Sequence, residues 1–357
     1  MPWIRQDNVA MDTQADWSGY KRTVPNCSPE AARRIALLDP SISFFFFARE
    51  YMELAPRIFN PGDAVFFSGK PWWGSAPQSD GYLDGISLAY IGSLDTFDPN
   101  VAGTYVTAQG LNAVDMVCLF AADLNVALSG NLIRLAPDVA VPAGGTLAVA
   151  PDYFIPMFGK SVHALQAKGI AVILTFLNNH DAAGWSEFKT EADAQAFADQ
   201  LNYVVETYGF DGIDIDDEYS NGVAQDGTLA MVTQMMRALM PSKIISKALW
   251  ADTQNFGPTY KGVGLAQTLT YGWYMGYGGE PSESLPDYAG FGMTTAALGM
   301  GFWTVQPSSD PAADVAWVKA NGYAGVMVYA FEIQENQDLL GNLVNLWCGP
   351  GNWNSQP

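Results

Sequence analysis

The sequence is poor in cysteine, histidine and positive charge, and each scarcity argues against a class of protein. The three cysteines among its 357 residues, Cys27, Cys118 and Cys348, lack CxxC spacing, so neither a disulfide framework nor a zinc ribbon is expected. Two histidines, His163 and His180, are too few for a histidine metal cage and a poor basis for a Ser/His/Asp triad. With 17 Lys and Arg against 37 Asp and Glu, the net charge of −20 argues against a nucleic-acid partner. If the chain is an enzyme, carboxylates must do the chemistry, and we predict no metal and no cofactor.

Long apolar runs are also missing. The densest cluster, FFFF at 44–47, is far shorter than the roughly 18 residues that span a bilayer, so no membrane span is predicted. The first residues, MPWIRQDNVAMDTQ, contain no apolar stretch of the signal-peptide kind, and a signal peptide is therefore not visible. The hydrophobic content of 49% nevertheless supports a sizeable folded core.

From residue 86 onward, β-rich runs alternate with helical patterns. We predict eight strands, at 86–92, 114–125, 170–177, 210–216, 243–249, 268–275, 301–306 and 324–331. The clearest helix occupies 190–209, with Thr190 as its N-cap and Gly209 at its end, and a second helix stops at Pro241. Eight strands alternating with helices predict a (β/α)8 TIM barrel with an additional N-terminal segment, and in such a barrel the active site lies at the C-terminal ends of the strands.

The most unusual stretch is FDGIDIDDEYS at 210–220, which holds four Asp and one Glu in a predicted strand. Because side chains alternate along a strand, Asp214, Asp216 and Glu218 share the face opposite to Ile213 and Ile215, about 6.6 Å apart along the strand. The acids are expected inside the barrel, with Glu218 at the mouth, Asp216 beneath it and Asp214 deeper. Such crowding predicts a raised pKa and a shared proton for one or more of these acids.

Two other interpretations of this stretch fit the sequence less well. A solvated acidic loop fits poorly with alternating isoleucines and an apolar helix just before them. A calcium-binding loop needs Gly at its sixth position, where Tyr219 stands.

The segment DGIDIDDE at 211–218 resembles the DGxDxDxE signature of glycoside hydrolase family 18. The segments at 174–188, 240–246 and 271–279 are similar, in the same order, to segments of bacterial endo-β-N-acetylglucosaminidases of the Endo H type. Together the resemblance covers roughly residues 86–347. It implies substrate-assisted retaining hydrolysis, in which the acetamido oxygen of N-acetylglucosamine is the nucleophile.

The resemblance also implies a role for each matching residue. Glu218 would be the general acid and later the base, and Asp216 would orient the acetamido group and stabilise the oxazolinium ion. Asp214 would support Asp216, and Tyr277 would donate to the acetamido oxygen. Further candidates for sugar contacts are Asn178, Asn179, His180, Trp250, Trp273 and Tyr329; the first three could equally cap and turn their loop, and the two tryptophans could be core or rim residues. Tyr329 stands where chitinases of the family usually carry Trp, which favours the Endo H branch.

Residues 1–85 lie outside the resemblance. They are predicted to contain a helix at 28–38 and strands at 42–48 and 63–69, forming an accessory segment that packs on the barrel or meets a partner; residues 86–357 form the catalytic barrel.

The function expected is cleavage of the di-N-acetylchitobiose core of N-linked glycans. The partner is then a glycan or glycoprotein substrate, and the family implies a secreted or cell-surface location. A chitinase or peptidoglycan glucosaminidase is the enzymatic alternative, because the same carboxylates serve any β-linked 2-acetamido sugar. A carbohydrate-binding barrel without turnover is the non-enzymatic alternative, and it would not need the acid at Glu218.

Overall fold

A computed structural model gives the fold of the chain. It describes residues 4–6, 9–11, 17–54, 57–68, 73–75, 79–83, 85–92, 96–125, 132–136, 139–141, 154–178, 184–186, 188, 190–218 and 227–355.

Eight parallel strands form a closed barrel. In chain order they are β1 (Ile86–Ile91), β2 (Met116–Asn125), β3 (Ala171–Asn178), β4 (Gly212–Asp216), β5 (Ile244–Leu249), β6 (Tyr271–Tyr274), β7 (Leu298–Phe302) and β8 (Gly325–Val328). Each strand pairs with the next along the chain, and β8 pairs with β1 to close the ring. The predicted (β/α)8 barrel is therefore confirmed.

Helices follow most of the strands. After α1 (Pro29–Leu37), which precedes the barrel, come α2 (Phe154–Ala167), α3 (Glu191–Tyr208), α4 (Thr228–Leu239), α5 (Pro281–Gly290), α6 (Pro311–Ala320) and α7 (Gln334–Cys348). Helix α3 has the predicted ends: Thr190 Oγ1 accepts from the Asp193 N–H at 3.1 Å, and Gly209 adopts φ +72°. The fully described link from β5 to β6 has no α-helix; it contains 3₁₀ turns at Thr253–Phe256 and Leu265–Gln267 and a short hairpin between them.

Strand β7 begins earlier than the sequence predicts. The sequence predicts it at 301–306, whereas the strand is Leu298–Phe302 and the chain turns after it, with a bridge between Trp303 and Gln306. Glycine at 299 and 301 weakens the local strand signal. Packing explains these glycines, because a Cβ on Gly299 would overlap the Trp273 ring and one on Gly301 would overlap the Tyr274 carbonyl.

The N-terminal region forms a separate antiparallel sheet. Its strands lie in the order Ile4–Gln6, Ser79–Leu83, Phe44–Ala48, Ala64–Phe67 and Tyr20–Val24. The predicted helix and the two predicted strands of this region are found, and Ser28 caps α1 by accepting from the Ala31 N–H at 3.1 Å. Short strands outside this sheet and the barrel are Val9–Met11, Met52–Leu54, Arg57–Phe59, Trp73–Ser75, Tyr105–Val106, Leu132–Ala136, Val139–Val141, Thr259–Tyr260, Val263–Gly264 and Asn354–Ser355.

Helix α1 joins this region to the N-terminal end of the barrel. Arg33 forms a buried ion pair of 2.8 Å with Asp115, which precedes β2, and Arg34 pairs with Asp211, which precedes β4. The Tyr271 hydroxyl donates to the Leu37 carbonyl at 2.8 Å. The N-terminal region therefore covers the end of the barrel opposite to the expected active site; the division into units at residue 85 stays a prediction.

Two further features concern the cysteines and the helices. The three cysteines are free thiols. Within the ranges described above, every helix is too short or too polar to cross a bilayer.

Candidate active site

A pocket opens at the C-terminal ends of the barrel strands. Its cavity of about 270 Å³ is lined by Tyr90, Phe120, Asp216, Glu218, Ala248, Met275, Tyr277, Trp303, Met327 and Tyr329. These residues come from seven of the eight strands or the turns just after them, as the barrel architecture requires.

The three acids on one face of β4 are arranged by depth. Asp214 is fully buried, Asp216 is 3% exposed and lines the pocket, and Glu218 is exposed at the mouth. The Glu218 N–H donates to Asp216 Oδ1 at 3.2 Å, which holds the turn after β4 over the lower acid. This is the order expected from strand alternation, and we call these residues the acid ladder. A Cβ on Gly212, below the ladder, would overlap the backbone of Ile244.

Three hydroxyl groups surround the deepest acid. Tyr90 and Thr175 donate to Asp214 Oδ2 at 2.8 and 3.2 Å, and Ser246 donates to Oδ1. Thr175 and Ser246 are the register partners of Asp214 on β3 and β5. Sequence reasoning missed these residues because the pairing of strands is what brings them to Asp214.

Burial changes the ionisation of the two lower acids. Burial, followed by the nearby Glu218 and Asp214, raises the pKa of Asp216 to about 8, while the buried Lys247 opposes the shift. Burial also raises the pKa of Asp214 to about 6, against the three hydroxyl donors that favour its ionised form. At neutral pH the ladder therefore holds a proton on Asp216.

We expect Asp216→Asn to gain thermal stability over the wild type as the pH rises from about 4 to about 8. Below the ordinary aspartate pKa of 3.8 the carboxyl is neutral in both the folded and the unfolded chain. Between 3.8 and about 8 only the unfolded chain ionises, so wild-type stability falls as pH rises, and the loss is complete above about 8. An amide has no such titration.

Melting temperatures measured across this pH range test the expectation. Asp287→Asn, on the exposed surface of α5, is the matched control and should follow the wild type. A pH dependence of Asp216→Asn that equals the wild type would contradict the raised pKa.

Three rings form one side of the pocket, and we call them the aromatic wall. Tyr277 and Trp303 lie edge-to-face with centroids 5.5 Å apart, as do Trp303 and Tyr329 at 5.5 Å, while Tyr277 and Tyr329 are stacked at 6.1 Å. Burial, then Tyr329 and Asp216, raise the pKa of Tyr277 well above its usual value. Tyr277 therefore stays a protonated phenol that can donate a hydrogen bond.

The structure places the remaining predicted sugar contacts in different environments. Tyr329 lines the pocket, as expected. Trp273 as a sugar contact is wrong: its ring is fully buried in the barrel interior against Gly299. Trp250 follows β5, is half-buried and does not belong to the described pocket lining. The side chain of Asn178, together with Asn179 and His180, lies outside the described residues.

Sequence reasoning also missed five lining residues, Phe120, Ala248, Met275, Trp303 and Met327. A position at the C-terminal end of a predicted strand was the available signal for Ala248 and Met275, whereas Phe120 and Met327 lie inside their predicted strands. For Trp303 the misplaced β7 hid that signal, because the prediction put this residue inside the strand. Among the residues described, no cluster of three or more His, Cys, Asp or Glu side chains is arranged to hold a metal ion.

Comparisons with known proteins agree with this geometry. Residues 150–294 match the family model for the TIM-barrel domain of the endo-β-N-acetylglucosaminidase EndoS. The chain is similar to an endo-β-N-acetylglucosaminidase of Flavobacterium sp. (strain SK1022), with 33% identity over 256 residues, 68% of this chain and 74% of the relative. It is also similar to endo-β-N-acetylglucosaminidase F1 of Elizabethkingia meningoseptica, with 26% identity over 246 residues, 66% of this chain and 68% of the relative.

Among solved structures, the fold is similar to that of EndoBT-3987 from Bacteroides thetaiotamicron with a Man5GlcNAc product. The TM-score is 0.59 at 14% identity, and the match covers 99% of this chain and 90% of the other.

Proposed function

The chain belongs to the Endo H-like endo-β-N-acetylglucosaminidases of glycoside hydrolase family 18, and from this premise we propose that its pocket cleaves the β-1,4 bond in the di-N-acetylchitobiose core of N-linked glycans. The observation that carries the proposal is the acid ladder of β4, which rises from a fully buried Asp214 to an exposed Glu218 beside the phenol of Tyr277.

Glu218 is assigned the role of general acid and base. It is the exposed acid of the ladder and stands at the pocket mouth, where the leaving part of a large glycan would lie. In the first step it protonates the leaving glycosidic oxygen, and in the second it takes a proton from the attacking water. The sugar's own acetamido oxygen is the nucleophile, so no protein carboxylate needs to form a covalent bond.

Asp216 and Tyr277 are assigned to the acetamido group. Asp216 lies beneath Glu218, where it can orient the acetamido N–H and stabilise the positive charge that develops on the oxazolinium ion. Asp214, whose pKa is raised to about 6, is the neighbour that can share the proton of Asp216 as this charge develops. Tyr277 donates from its phenol to the acetamido oxygen and fixes it for attack.

The size of the pocket agrees with an enzyme that holds one sugar ring deeply. Its cavity of about 270 Å³ is at the small end of small-molecule sites, which begin near 300 Å³. The remainder of a branched glycan would lie outside it, on the surface around the mouth.

The product identifies the bond that is cleaved. On a glycoprotein with high-mannose glycans we expect each treated Asn to keep one N-acetylglucosamine and lose the rest, as measured by mass spectrometry of the peptide. Wild-type enzyme is compared with Glu218→Gln, and chitin oligomers and peptidoglycan are assayed in parallel. Release of chitobiose from chitin, with the glycoprotein left intact, would contradict the proposal and support a chitinase.

The same proposal includes a secreted or cell-surface location, since N-glycosylated surface loops belong to secreted proteins. Detecting the chain in the culture medium or at the cell surface of its source, rather than inside the cell, tests this part.

A further inference from the structure

The side chain of Asn336 connects two of the loops that carry the aromatic wall. Asn336 lies in the first turn of α7 and is fully buried. Its Oδ1 accepts from the Thr304 N–H at 3.1 Å and from the Thr304 hydroxyl at 2.8 Å, and its Nδ2 donates to the Ala330 carbonyl at 3.0 Å.

Both partners of Asn336 are next to pocket residues in the chain. Thr304 directly follows Trp303, and Ala330 directly follows Tyr329. Trp303 and Tyr329 form one of the two edge-to-face pairs of the wall, with centroids 5.5 Å apart. The amide of Asn336 therefore joins the loop after β7 to the loop after β8 directly behind these two rings.

The backbone at Ala330 gives a reason for this connection. Ala330 has φ +54°, a left-handed conformation that a residue with a Cβ adopts only at a cost in free energy. Its carbonyl accepts from the Ile333 N–H at 3.0 Å as well as from Asn336. These two hydrogen bonds hold the chain in the turn that directs Tyr329 into the pocket.

We propose that Asn336 is a positioning residue that fixes the separation of Trp303 and Tyr329 and so shapes the sugar-binding side of the pocket. The inference rests on the proposed function and adds a determinant of substrate binding to it. The acid ladder is on β4, on the other side of the barrel from β8, and Asn336 has no bond to it. Loss of Asn336 should therefore weaken substrate binding and leave the chemical step unchanged.

Three variants distinguish the hydrogen bonds of Asn336. Asn336→Ala removes its bonds to Thr304 and to Ala330. Thr304→Val removes only the hydroxyl donor at nearly constant volume and leaves the Thr304 backbone bond in place. Asn342→Ala is the matched control, because Asn342 is on the same helix but is exposed.

Steady-state kinetics on a high-mannose glycoprotein, with melting temperatures for every variant, provide the test. We expect Asn336→Ala to raise KM about tenfold with kcat and its pH profile unchanged. A tenfold change corresponds to the net free energy of about one to two hydrogen bonds, which is what the loss of the Asn336 side chain removes. Thr304→Val should raise KM by a smaller factor, roughly threefold. Asn342→Ala should match the wild type.

A double-mutant cycle distinguishes positioning from stability alone. In a Trp303→Phe background the effect of Asn336→Ala on KM should largely disappear, since the residue through which it acts has already been changed. An Asn336→Ala variant that melts earlier but keeps the wild-type KM would overturn the inference, as would a loss of kcat at constant KM. If Asn336→Ala does not fold, Thr304→Val decides, and an unchanged KM in that variant overturns the inference.

A wrong role for Asn336 can be told apart from a wrong proposed function, because in the second case the wild-type enzyme itself would leave the glycoprotein intact.

Discussion

Glu218→Gln is expected to lower turnover by about 10²- to 10⁴-fold, the usual contribution of general acid–base catalysis. Glutamine keeps the shape and hydrogen-bonding reach of the side chain but cannot transfer a proton to the leaving oxygen. Because Glu218 lies at the exposed mouth of the pocket, the substitution leaves the buried part of the ladder in place. Binding of a high-mannose glycopeptide should therefore survive.

Turnover is measured by release of the glycan, and binding by calorimetry on the variant. Glu283→Gln is the matched control, because Glu283 is exposed on α5 and away from the pocket lining. A Glu218→Gln enzyme that turns over at the wild-type rate would remove Glu218 from the mechanism, and the ladder would then need another acid.

Asp216→Asn is expected to slow the reaction by about 10²-fold or more, on the scale seen when one group that stabilises transition-state charge is removed. The amide can still contact the acetamido group, but it cannot balance the charge of the oxazolinium ion as a carboxylate does. The same variant should be more heat-stable than the wild type at pH 8, for the reason given above. Lower activity with higher stability is the pattern expected when a buried acid is retained for catalysis.

An inhibitor separates substrate assistance from a nucleophilic Asp216, since both mechanisms predict a slow Asp216→Asn enzyme. A thiazoline analogue of the cyclised sugar resembles the oxazolinium intermediate and should compete strongly with substrate. A glycosyl–enzyme adduct on Asp216, trapped with a fluorosugar and detected by mass spectrometry, would rule substrate assistance out.

The sequence by itself determined the barrel and the acid ladder. Both depend on local periodicity: strands that alternate with helices specify the barrel, and a two-residue spacing puts Asp214, Asp216 and Glu218 on one strand face. Tyr277 was reached in a different way, through the resemblance of its segment to a known family.

Tertiary structure alone decided what surrounds the ladder. Strand register places Thr175 of β3 and Ser246 of β5 beside Asp214, and Tyr90 reaches the same carboxyl from β1, which is not a neighbour of β4. No short-range pattern in the sequence encodes these contacts. Trp273 has the same residue type as a sugar platform, yet the narrow barrel interior buries it against Gly299.

The position of strand β7 and the role of Asn336 also could not be inferred from the local sequence. The glycines of β7 contradict strand propensity and are explained only by the rings that occupy their space. Nothing in the local sequence distinguishes Asn336 from its neighbours. Its hydrogen bonds to the loops that follow Trp303 and Tyr329 form only when β7, β8 and α7 are packed together. Local periodicity fixes which face a side chain occupies, whereas its neighbours across the barrel depend on contacts between residues far apart in the chain.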